Sequence, residues 1–433
     1  MRYYSTNGKA ATADLRTAVT KGLAPDRGLY MPQSIAKLPE SFFDGMADLS
    51  FREIACTVAD AFFGEDIAPE QLHRIVNDTL SFDCPLVQVE DRIWSLELFH
   101  GPTLAFKDVG ARFMARMLQH FTGGGRRINV LVATSGDTGS AVTNGFLGVE
   151  GIHVYVLYPK GRVSPVQECQ FTTLGQNITA IEIDGVFDDC QALVKSAFLD
   201  TELNSALVLT SANSINVARF LPQSFYYFNA CARLREQGIS EPPVICVPSG
   251  NFGNICSALF AKRMGLEVKR FIAACNANSV FPEFLASGSY SPRPSIATLA
   301  NAMDVGDPSN FARIWDLYGK DADAIRADIS SACVSDSEIL GTIASCYRSD
   351  GYLLDPHGAC GFKVLKESLR EGETGIFCET AHPAKFKETV EKAIGGSVSM
   401  PERLAAFMKG EKRSVPLPRD FGAFKDFLLN DDK

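Results

Sequence analysis

The chain has 433 residues, 46% of them hydrophobic, and a formal net charge of −9, so it is long and apolar enough for two or three globular domains. The charge is spread out and basic residues do not cluster, which argues against nucleic acid as a partner. The twelve cysteines form no Cys-x-x-Cys pair, which argues against a bound metal and a secreted disulfide framework. The N-terminus lacks the apolar core of a signal peptide, and the longest uncharged run is interrupted by Pro and Gly. We therefore expect a cytoplasmic protein that contacts no membrane.

Residues 1–95 are predicted to form a mostly helical N-terminal domain. Helical periodicity covers residues 13–21 and 51–63, and residues 69–80 begin with a proline in the first turn. A connector rich in Gly and Pro, residues 22–32, separates the first two helices.

The segment His100–Asp108 leads into a predicted helix that begins near Lys107. Apolar residues at Val109, Phe113, Met117 and Phe121 define one face of this helix. A lysine at such a junction can be held out of water, which lowers its pKa and makes the neutral amine available as a nucleophile or Schiff-base partner. The alternative is a surface lysine that opens a helix, and this segment alone leaves both possibilities open.

From residue 128 onward, the pattern alternates between strand and helix. Continuous apolar strands are predicted at residues 128–133, 152–158, 178–183, 207–210, 244–247, 268–274 and 375–378. Helices are predicted at 165–174, 188–199, 255–264, 311–317 and 336–349, and residues 401–433 are assigned to surface helices. Apolar strands separated by helices of this length indicate parallel α/β layers.

Three loops directly follow predicted strands, which is where open α/β sheets bind ligands. The first contains Ser135, Gly136, Asp137 and Thr138, and it either cradles a carboxylate or phosphate or is a simple capped turn. The second contains Gly250, Asn251, Phe252, Gly253 and Asn254, where glycines let successive N–H groups face an anion. It lacks the fingerprints of nucleoside triphosphate and dinucleotide sites. The third places the Thr380 hydroxyl and His382 at the end of the last strand, and His382 is as well explained by a helix cap.

Two further polar segments are less specific. Arg219 follows Ser214 and Asn216, and its guanidinium is predicted either to bind a phosphate or to pair with a surface carboxylate. Residues 355–358 are predicted to form a polar turn. A lysine, an anion-binding loop and a hydroxyl at a strand end together suggest pyridoxal phosphate, which needs an amine, a phosphate nest and a partner for its ring nitrogen.

The sequence resembles the long-form threonine synthase family, whose members are pyridoxal-phosphate enzymes with the tryptophan synthase β-subunit fold, fold type II. The matching segments are residues 100–108, 134–141, 213–219, 250–254, 302–304, 308–311 and 380–386, and they occur in order from about residue 4 to about residue 390. The resemblance implies an α/β fold with two parallel-sheet domains and the cofactor between them. Residues 96–127 with 236–433 would form the large domain, and 128–235 a smaller domain that closes over the substrate.

The resemblance also implies roles for individual residues. Lys107 would bind the cofactor aldehyde, Gly250 to Asn254 would bind its phosphate, and the Thr380 hydroxyl would meet the ring nitrogen. The Ser135–Thr138 loop would bind the substrate carboxylate, and Ser214, Asn216 and Arg219 are candidates for the substrate phosphate. Many relatives have Asn at the position of Asp137, so the resemblance does not extend to a direct contact between Asp137 and the ring.

The implied reaction converts O-phospho-L-homoserine and water into L-threonine and phosphate. Three alternatives are a related dehydratase or phospho-lyase that releases 2-oxobutyrate, a non-catalytic ligand-binding relative, and a nucleotide-binding α/β enzyme. The expected partner is a small-molecule substrate, and the sequence leaves monomer and homodimer open.

Overall fold

A computed structural model describes residues 1–123 and 125–431. Residue 124, which falls in the predicted large-domain range, and residues 432 and 433 of the predicted tail lie outside the described residues. Among the residues described, no helix is long and apolar enough to cross a membrane.

The strands are β1 (Arg2–Ser5), β2 (Ala13–Asp14), β3 (Tyr30–Pro32), β4 (Leu86–Glu90), β5 (Ile93–Glu97), β6 (Ile128–Ala133), β7 (Ile152–Pro159), β8 (Ile178–Asp184), β9 (Val208–Ser211), β10 (Val244–Pro248), β11 (Arg270–Cys275), β12 (Ile329–Cys333), β13 (Gly375–Glu379) and β14 (Val415–Pro418). The helices are α1 (Leu15–Lys21), α2 (Glu40–Gly45), α3 (Phe51–Phe63), α4 (Pro69–Thr79), α5 (Lys107–Thr122), α6 (Asp137–Phe146), α7 (Pro165–Thr172), α8 (Phe187–Leu199), α9 (Thr201–Ala206), α10 (Val217–Phe220), α11 (Ser224–Glu236), α12 (Gly253–Arg263), α13 (Val280–Ser287), α14 (Phe311–Leu317), α15 (Ala322–Asp328), α16 (Asp336–Asp350), α17 (Pro356–Ser368), α18 (Lys387–Ile394), α19 (Glu402–Met408) and α20 (Phe421–Asp431).

Two sheets confirm the predicted α/β class. The larger has the order β12-β11-β10-β13-β5-β4, and its neighbouring strands are parallel except for the antiparallel β4–β5 pair. The smaller is all parallel, in the order β14-β8-β7-β6-β9. Every residue of β6 and β10 is buried, because helices cover both faces of a parallel sheet. This burial is why both strands are continuous apolar runs in the sequence.

The N-terminal region contains both helices and strands. Helices α1, α3 and α4 confirm the predicted helical segments, but β1, β2 and β3 also form a small antiparallel sheet. These strands have two to four residues, too few to show a period-2 pattern. Strands β4 and β5 belong to the larger sheet, where Trp94 pairs with Ile376 of β13. The predicted domain boundary at residue 95 therefore falls inside β5.

The tail is more than the surface helices expected from the sequence. Strand β14 joins the edge of the smaller sheet, with Val415 opposite Ile181 of β8. Helix α20 buries Phe424 and Leu428 completely against that sheet's helical layer. The expectation of surface helices alone is therefore wrong. The sequence did not predict β14 because a four-residue strand with two prolines carries no strand signal of its own.

Helix α5 connects the sheets to the site. Its predicted apolar face is confirmed, since Val109, Phe113 and Met117 are fully buried in the main core, while Phe121 packs against that core from a half-buried position. This packing fixes the first residue of the helix, Lys107, at the edge of the core.

Candidate active site

The backbone brings Lys107 next to the end of β13. The Phe106 N–H donates to the Thr380 carbonyl at 2.9 Å, and the His382 N–H donates to the Leu104 carbonyl at 3.0 Å. The segment before α5 therefore runs antiparallel to the segment that follows β13. Lys107 and Thr380, predicted to act on one ligand, are held together by these bonds.

The Lys107 side chain is largely withdrawn from water, with 15% of its surface exposed. Its Nζ lies 5.1 Å from the centre of the Phe106 ring and 4.0 Å from Asp137 Oδ2. Burial lowers the pKa of Lys107, and the nearby Asp137 carboxylate only partly opposes that effect. The structure thus favours the desolvated lysine over the surface lysine.

The loop after β6 is a tight turn shaped by Thr134. The Thr134 hydroxyl accepts hydrogen bonds from the N–H groups of Gly136 at 3.0 Å and Gly139 at 2.8 Å. Gly136 has φ 149° and ψ −94°, and a Cβ there would lie 2.6 Å from the Gln167 side chain, so glycine is required. Ser135 and Thr138 are half-buried beside it.

Asp137 is buried between two lysines, and the second of them, Lys385, was missed by the sequence reasoning. Lys385 is fully buried, with its Nζ 2.5 Å from Asp137 Oδ1 and 2.9 Å from the carbonyl oxygen of Thr103. Gln167 Nε2 donates to Asp137 Oδ1 at 3.0 Å. Burial raises the pKa of Asp137, but Lys385 and then Lys107 outweigh it and hold the pKa well below its usual range. Asp137 is therefore a carboxylate anion.

The loop after β10 presents a run of backbone donors. Across the described residues, the N–H groups of residues 250–254 donate no hydrogen bond to a protein acceptor. Phe252 adopts the left-handed conformation with φ 61° at the start of α12, which turns the chain so that successive N–H groups converge. A Cβ at Gly250 would lie 2.5 Å from Met303 Cα, so the loop packs directly on neighbouring backbone. These free N–H groups form a nest at a helix N-terminus, an arrangement that can bind an anion.

The two asparagines of this loop have different contacts. Asn251 donates from Nδ2 to Ser214 Oγ at 2.8 Å and accepts from the Ser309 N–H at 2.6 Å, so it ties the loop to its surroundings. Asn254 Oδ1 accepts from the hydroxyls of Tyr226 and Tyr227, whereas its buried Nδ2 donates to no acceptor in the part of the chain described. A buried amide donor without a partner is costly, and this one is free to donate to a ligand.

The predicted substrate-phosphate residues differ in how they are used. Asn216 caps α10 by accepting from the Ala218 N–H at 3.0 Å, and it donates to the Val19 carbonyl at 2.8 Å. Arg219 is only 2% exposed and donates to the Ala212 carbonyl, so its pairing with a surface carboxylate is wrong. Burial lowers the pKa of Arg219 to about 10. Ser214 is half-buried and contacts the nest through Asn251.

Asp355 and His357 link the segment that contains Thr380 to residue 302 through hydrogen bonds. The Thr380 hydroxyl itself makes no hydrogen bond to another described residue. The next N–H, that of Ala381, donates to Asp355 Oδ2 at 3.2 Å. His357 Nδ1 contacts Asp355 Oδ1 at 2.6 Å, and its Nε2 accepts from the Ala302 N–H at 3.2 Å.

This link corrects one sequence expectation and confirms another. Residues 355–358 are not an isolated polar turn but the start of α17, with Asp355 as its N-cap. His382 accepts from the Ala384 N–H at 3.1 Å, which confirms the capping alternative for this residue.

Comparison with known proteins identifies the family. A family model described as pyridoxal-phosphate dependent enzyme matches residues 82–377, and models of the threonine synthase N terminus and C-terminal region match residues 2–80 and 358–428. Threonine synthase of Haemophilus influenzae is 44% identical and that of Escherichia coli 43%, each over 99% of this chain and 100% of the relative. The crystal structure of the Escherichia coli threonine synthase has a TM-score of 0.93 at 42% identity. The pyridoxal-phosphate-bound threonine synthase of Brucella melitensis has a TM-score of 0.94 at 37% identity. Both structures are covered over their full length, as is this chain.

The parallel sheets, the buried Lys107 and the match to the pyridoxal-phosphate family model together define an enzyme of fold type II that depends on pyridoxal phosphate. With three family models matching in order and relatives aligned from end to end, the chain belongs to the threonine synthase family.

The described residues offer the groups that this cofactor requires. These groups are the buried amine of Lys107, the free N–H groups of residues 250–254, the unpartnered amide donor of Asn254 and the unpartnered hydroxyl of Thr380. They match the aldehyde, the phosphate and the ring of pyridoxal phosphate. The residues therefore fit the cofactor.

Proposed function

We propose that this chain converts O-phospho-L-homoserine and water into L-threonine and phosphate, and is thus a carbon–oxygen lyase acting on a phosphate ester. The observation that carries the proposal is the desolvated amine of Lys107, held beside Thr380 and within reach of Asp137. The activity named for relatives more than 40% identical over their whole length supports the choice of reaction.

Lys107 is proposed to bind the cofactor aldehyde through its amine. Residues 250–254 would bind the cofactor phosphate through their N–H groups, with the buried amide of Asn254 as a further donor. Thr380 would offer its hydroxyl to the ring nitrogen. Because a hydroxyl is neutral, it stabilises a protonated ring nitrogen less than a carboxylate would.

Pyridoxal phosphate supplies an electron sink that stabilises negative charge beside the amino group of a bound amino acid. The protein must then move protons at the substrate's Cα and Cβ, so that phosphate leaves from Cγ and water adds at Cβ. Lys107 is the proposed general acid and base for these transfers. Its lowered pKa favours the neutral amine, which can accept a proton, whereas an ammonium can only donate one.

The substrate's charged groups are assigned by burial and free hydrogen-bonding capacity. Ser135 and Thr138 are half-buried on the turn after β6, and we assign this turn, with Gly136, to the substrate carboxylate. Ser214 borders the nest and remains a candidate for the substrate phosphate. Asn216 is assigned a supporting role, because its side chain already bonds to backbone on both its oxygen and its nitrogen. Arg219 remains a candidate for the substrate phosphate: one Nη donates to the Ala212 carbonyl, but its buried Nε donates to no acceptor among the described residues.

The proposed setting is the cytoplasm. All cysteines that the structure describes are free, as expected for a protein in a reducing compartment. The small-molecule substrate needs no partner chain for the contacts proposed above. Light scattering of the purified protein would distinguish a monomer from a homodimer.

The test combines trapping and product analysis. Purified protein loaded with pyridoxal phosphate should show a visible absorption band that borohydride removes, and peptide mapping should find the reduced adduct on Lys107. Lys107→Ala should abolish turnover. Lys387→Ala should not, because Lys387 is a half-exposed lysine at the start of α18 that pairs, among the described residues, only with Glu391 on its own helix.

The products separate the proposed reaction from its closest rival. With O-phospho-L-homoserine, the proposed reaction gives threonine, which retains the amino nitrogen. Release of 2-oxobutyrate with ammonia would contradict it, and so would turnover by Lys107→Ala at the wild-type rate.

A further inference from the structure

One carboxylate lies between two buried lysines in this site. Asp137 Oδ1 is 2.5 Å from Lys385 Nζ, and Asp137 Oδ2 is 4.0 Å from Lys107 Nζ. The two lysines come from different segments, one at the start of α5 and the other after β13. Asp137 is therefore shared unequally, and Lys385 holds the closer position.

Lys385 is well fixed in that position. Its side chain has no exposed surface, and its Nζ also donates to the Thr103 carbonyl at 2.9 Å. Thr103 in turn bonds Asp108 through both its N–H and its hydroxyl. A buried ammonium needs such partners because the loss of hydration is costly. Lys385 cannot leave Asp137 without losing its counter-ion.

The charges around Lys107 act on its pKa in opposite directions. Burial lowers the pKa of Lys107, Asp137 raises it, Lys385 and Arg219 lower it, and Asp355 raises it. The adjacent carboxyl of Asp108 bonds to Thr103. The balance between Asp137 and Lys385 is thus the local feature most able to change the charge of the Lys107 amine.

An amine must be neutral to attack a carbonyl carbon or to accept a proton. A carboxylate within about 4–6 Å favours the ammonium form and raises the pKa of a lysine by about 1–3 pH units. A free Asp137 would therefore hold Lys107 in the unreactive form. Pairing with the Lys385 ammonium compensates the negative charge of that carboxylate.

We propose that Lys385 is a positioning residue for Lys107: by binding Asp137 at the shorter distance, it compensates that carboxylate and weakens its hold on the Lys107 amine. The inference rests on the role proposed above for Lys107. In the covalent step, the nitrogen lone pair of Lys107 attacks the cofactor aldehyde, a carbon–nitrogen bond forms, and the carbonyl oxygen leaves as water with two protons. No oxidant or reductant is needed.

The test measures how fast the apoprotein forms its covalent adduct with pyridoxal phosphate as the pH is varied. Lys385→Met removes the partner of Asp137, so the midpoint of the pH profile should rise by at least about one unit. The rate below that midpoint should then fall by about tenfold. The double variant Asp137→Asn with Lys385→Met removes both charges and should return the midpoint to within about half a unit of wild type. Lys387→Met, at a half-exposed lysine two residues away, is the matched control and should leave the profile unchanged.

Asp137→Asn alone provides a second test if Lys385→Met folds poorly. It leaves the Lys385 ammonium uncompensated, which disfavours a second ammonium nearby, so the midpoint should fall instead of rise. Circular dichroism would verify the fold of each variant. These opposite shifts distinguish a charge effect from simple loss of packing, which would not depend on the sign of the removed charge.

Three outcomes would overturn the inference: an adduct on Lys107 with an unchanged midpoint in Lys385→Met, an upward shift in Asp137→Asn, or no rescue in the double variant. A wild-type apoprotein that forms no adduct on Lys107 would instead refute the proposed function, so the two failures can be told apart.

Discussion

Replacing Gly250 with alanine should weaken pyridoxal phosphate binding by about 10- to 100-fold without unfolding the protein. A Cβ at Gly250 would lie 2.5 Å from Met303 Cα and 3.1 Å from the Ala302 carbonyl oxygen. Ordinary contacts begin near 3.4 Å, and backbone atoms cannot rotate away as a side chain can. The loop must therefore move by about 1 Å to restore van der Waals distances.

A shift of that size changes the direction of the N–H groups in the nest. A hydrogen bond to a charged acceptor contributes about 1.5–3 kcal/mol, so losing one such bond weakens binding by at least about tenfold. The loss of hydrogen bonds affects only the cofactor complex, because these N–H groups have no acceptor among the described residues of the protein. The backbone clash itself is present with and without cofactor and lowers the free energy of unfolding as well.

The assay is equilibrium titration of apoprotein with pyridoxal phosphate, followed by absorption or fluorescence. Gly341→Ala is the matched control, because a Cβ there meets nothing within 4 Å and the residue lies within α16. It should bind the cofactor as wild type does and gain slightly in helix stability. Wild-type affinity in Gly250→Ala would refute the assignment of the nest.

Three further predictions concern residues around the site. Asn216→Ala removes a helix cap and the bond to the Val19 carbonyl, so the free energy of unfolding measured in urea should fall by about 2 kcal/mol, and an unchanged value would contradict this role. Burial and then the Asp355 carboxylate raise the pKa of Glu379, so the folded protein retains that proton and loses stability as the pH rises above about 4.3, the pKa of an unfolded Glu. Glu379→Gln removes this titration. The free energy of unfolding of the variant, relative to wild type, should grow by about 1.4 kcal/mol per pH unit between the unfolded-state and the folded-state pKa of Glu379. If the two proteins instead show parallel profiles of stability against pH, Glu379 is ionised in the folded protein. Thr380→Val should change the free energy of unfolding by less than about 1 kcal/mol, because the hydroxyl has no hydrogen bond to lose within the described residues. It should nevertheless shift the visible absorption spectrum of the protein loaded with pyridoxal phosphate. An unchanged spectrum would exclude the contact with the ring nitrogen.

The sequence was sufficient wherever one residue pattern determined one structure. The strand 128–133 and the helices 51–63 and 311–317 have the predicted bounds, because buried parallel strands and amphipathic helices carry strong periodic signals. Strand β12, by contrast, was not predicted. Only the first of its five residues is buried, so no apolar run distinguished it from a loop.

Helix α17 was missed for a different reason. Pro356 and Gly358 suggested a turn, but Pro is tolerated in the first helical turn. Gly358 and the next glycine along the helix, Gly361, both serve packing. A Cβ at Gly358 would lie 1.5 Å from Glu379 Oε2, and one at Gly361 would lie 3.3 Å from Pro248 Cγ. Single-residue propensity cannot express a close approach between distant segments.

The sequence alone suggested those parts of the candidate site in which a local segment carries its own chemistry, as with the desolvated Lys107 and the free N–H groups of residues 250–254. Lys385 was not predictable in this way, because the ion pair with Asp137 joins residues far apart in the chain. Its one local signal is a lysine between Ala384 and Phe386 just after a buried strand. Charge compensation of this kind depends on the tertiary structure.

The prolines of β14 have a consequence for self-association. Strand β14 reads Val-Pro-Leu-Pro and pairs in parallel with β8 at the edge of the smaller sheet. Successive N–H groups of a strand point to opposite sides, so Val415 and Leu417 supply the donors toward β8, and the missing donors of Pro416 and Pro418 fall on the outer side. An incoming strand from another molecule would find no N–H group at either position. The last strand thus protects this edge of the smaller sheet from pairing with a strand of another molecule.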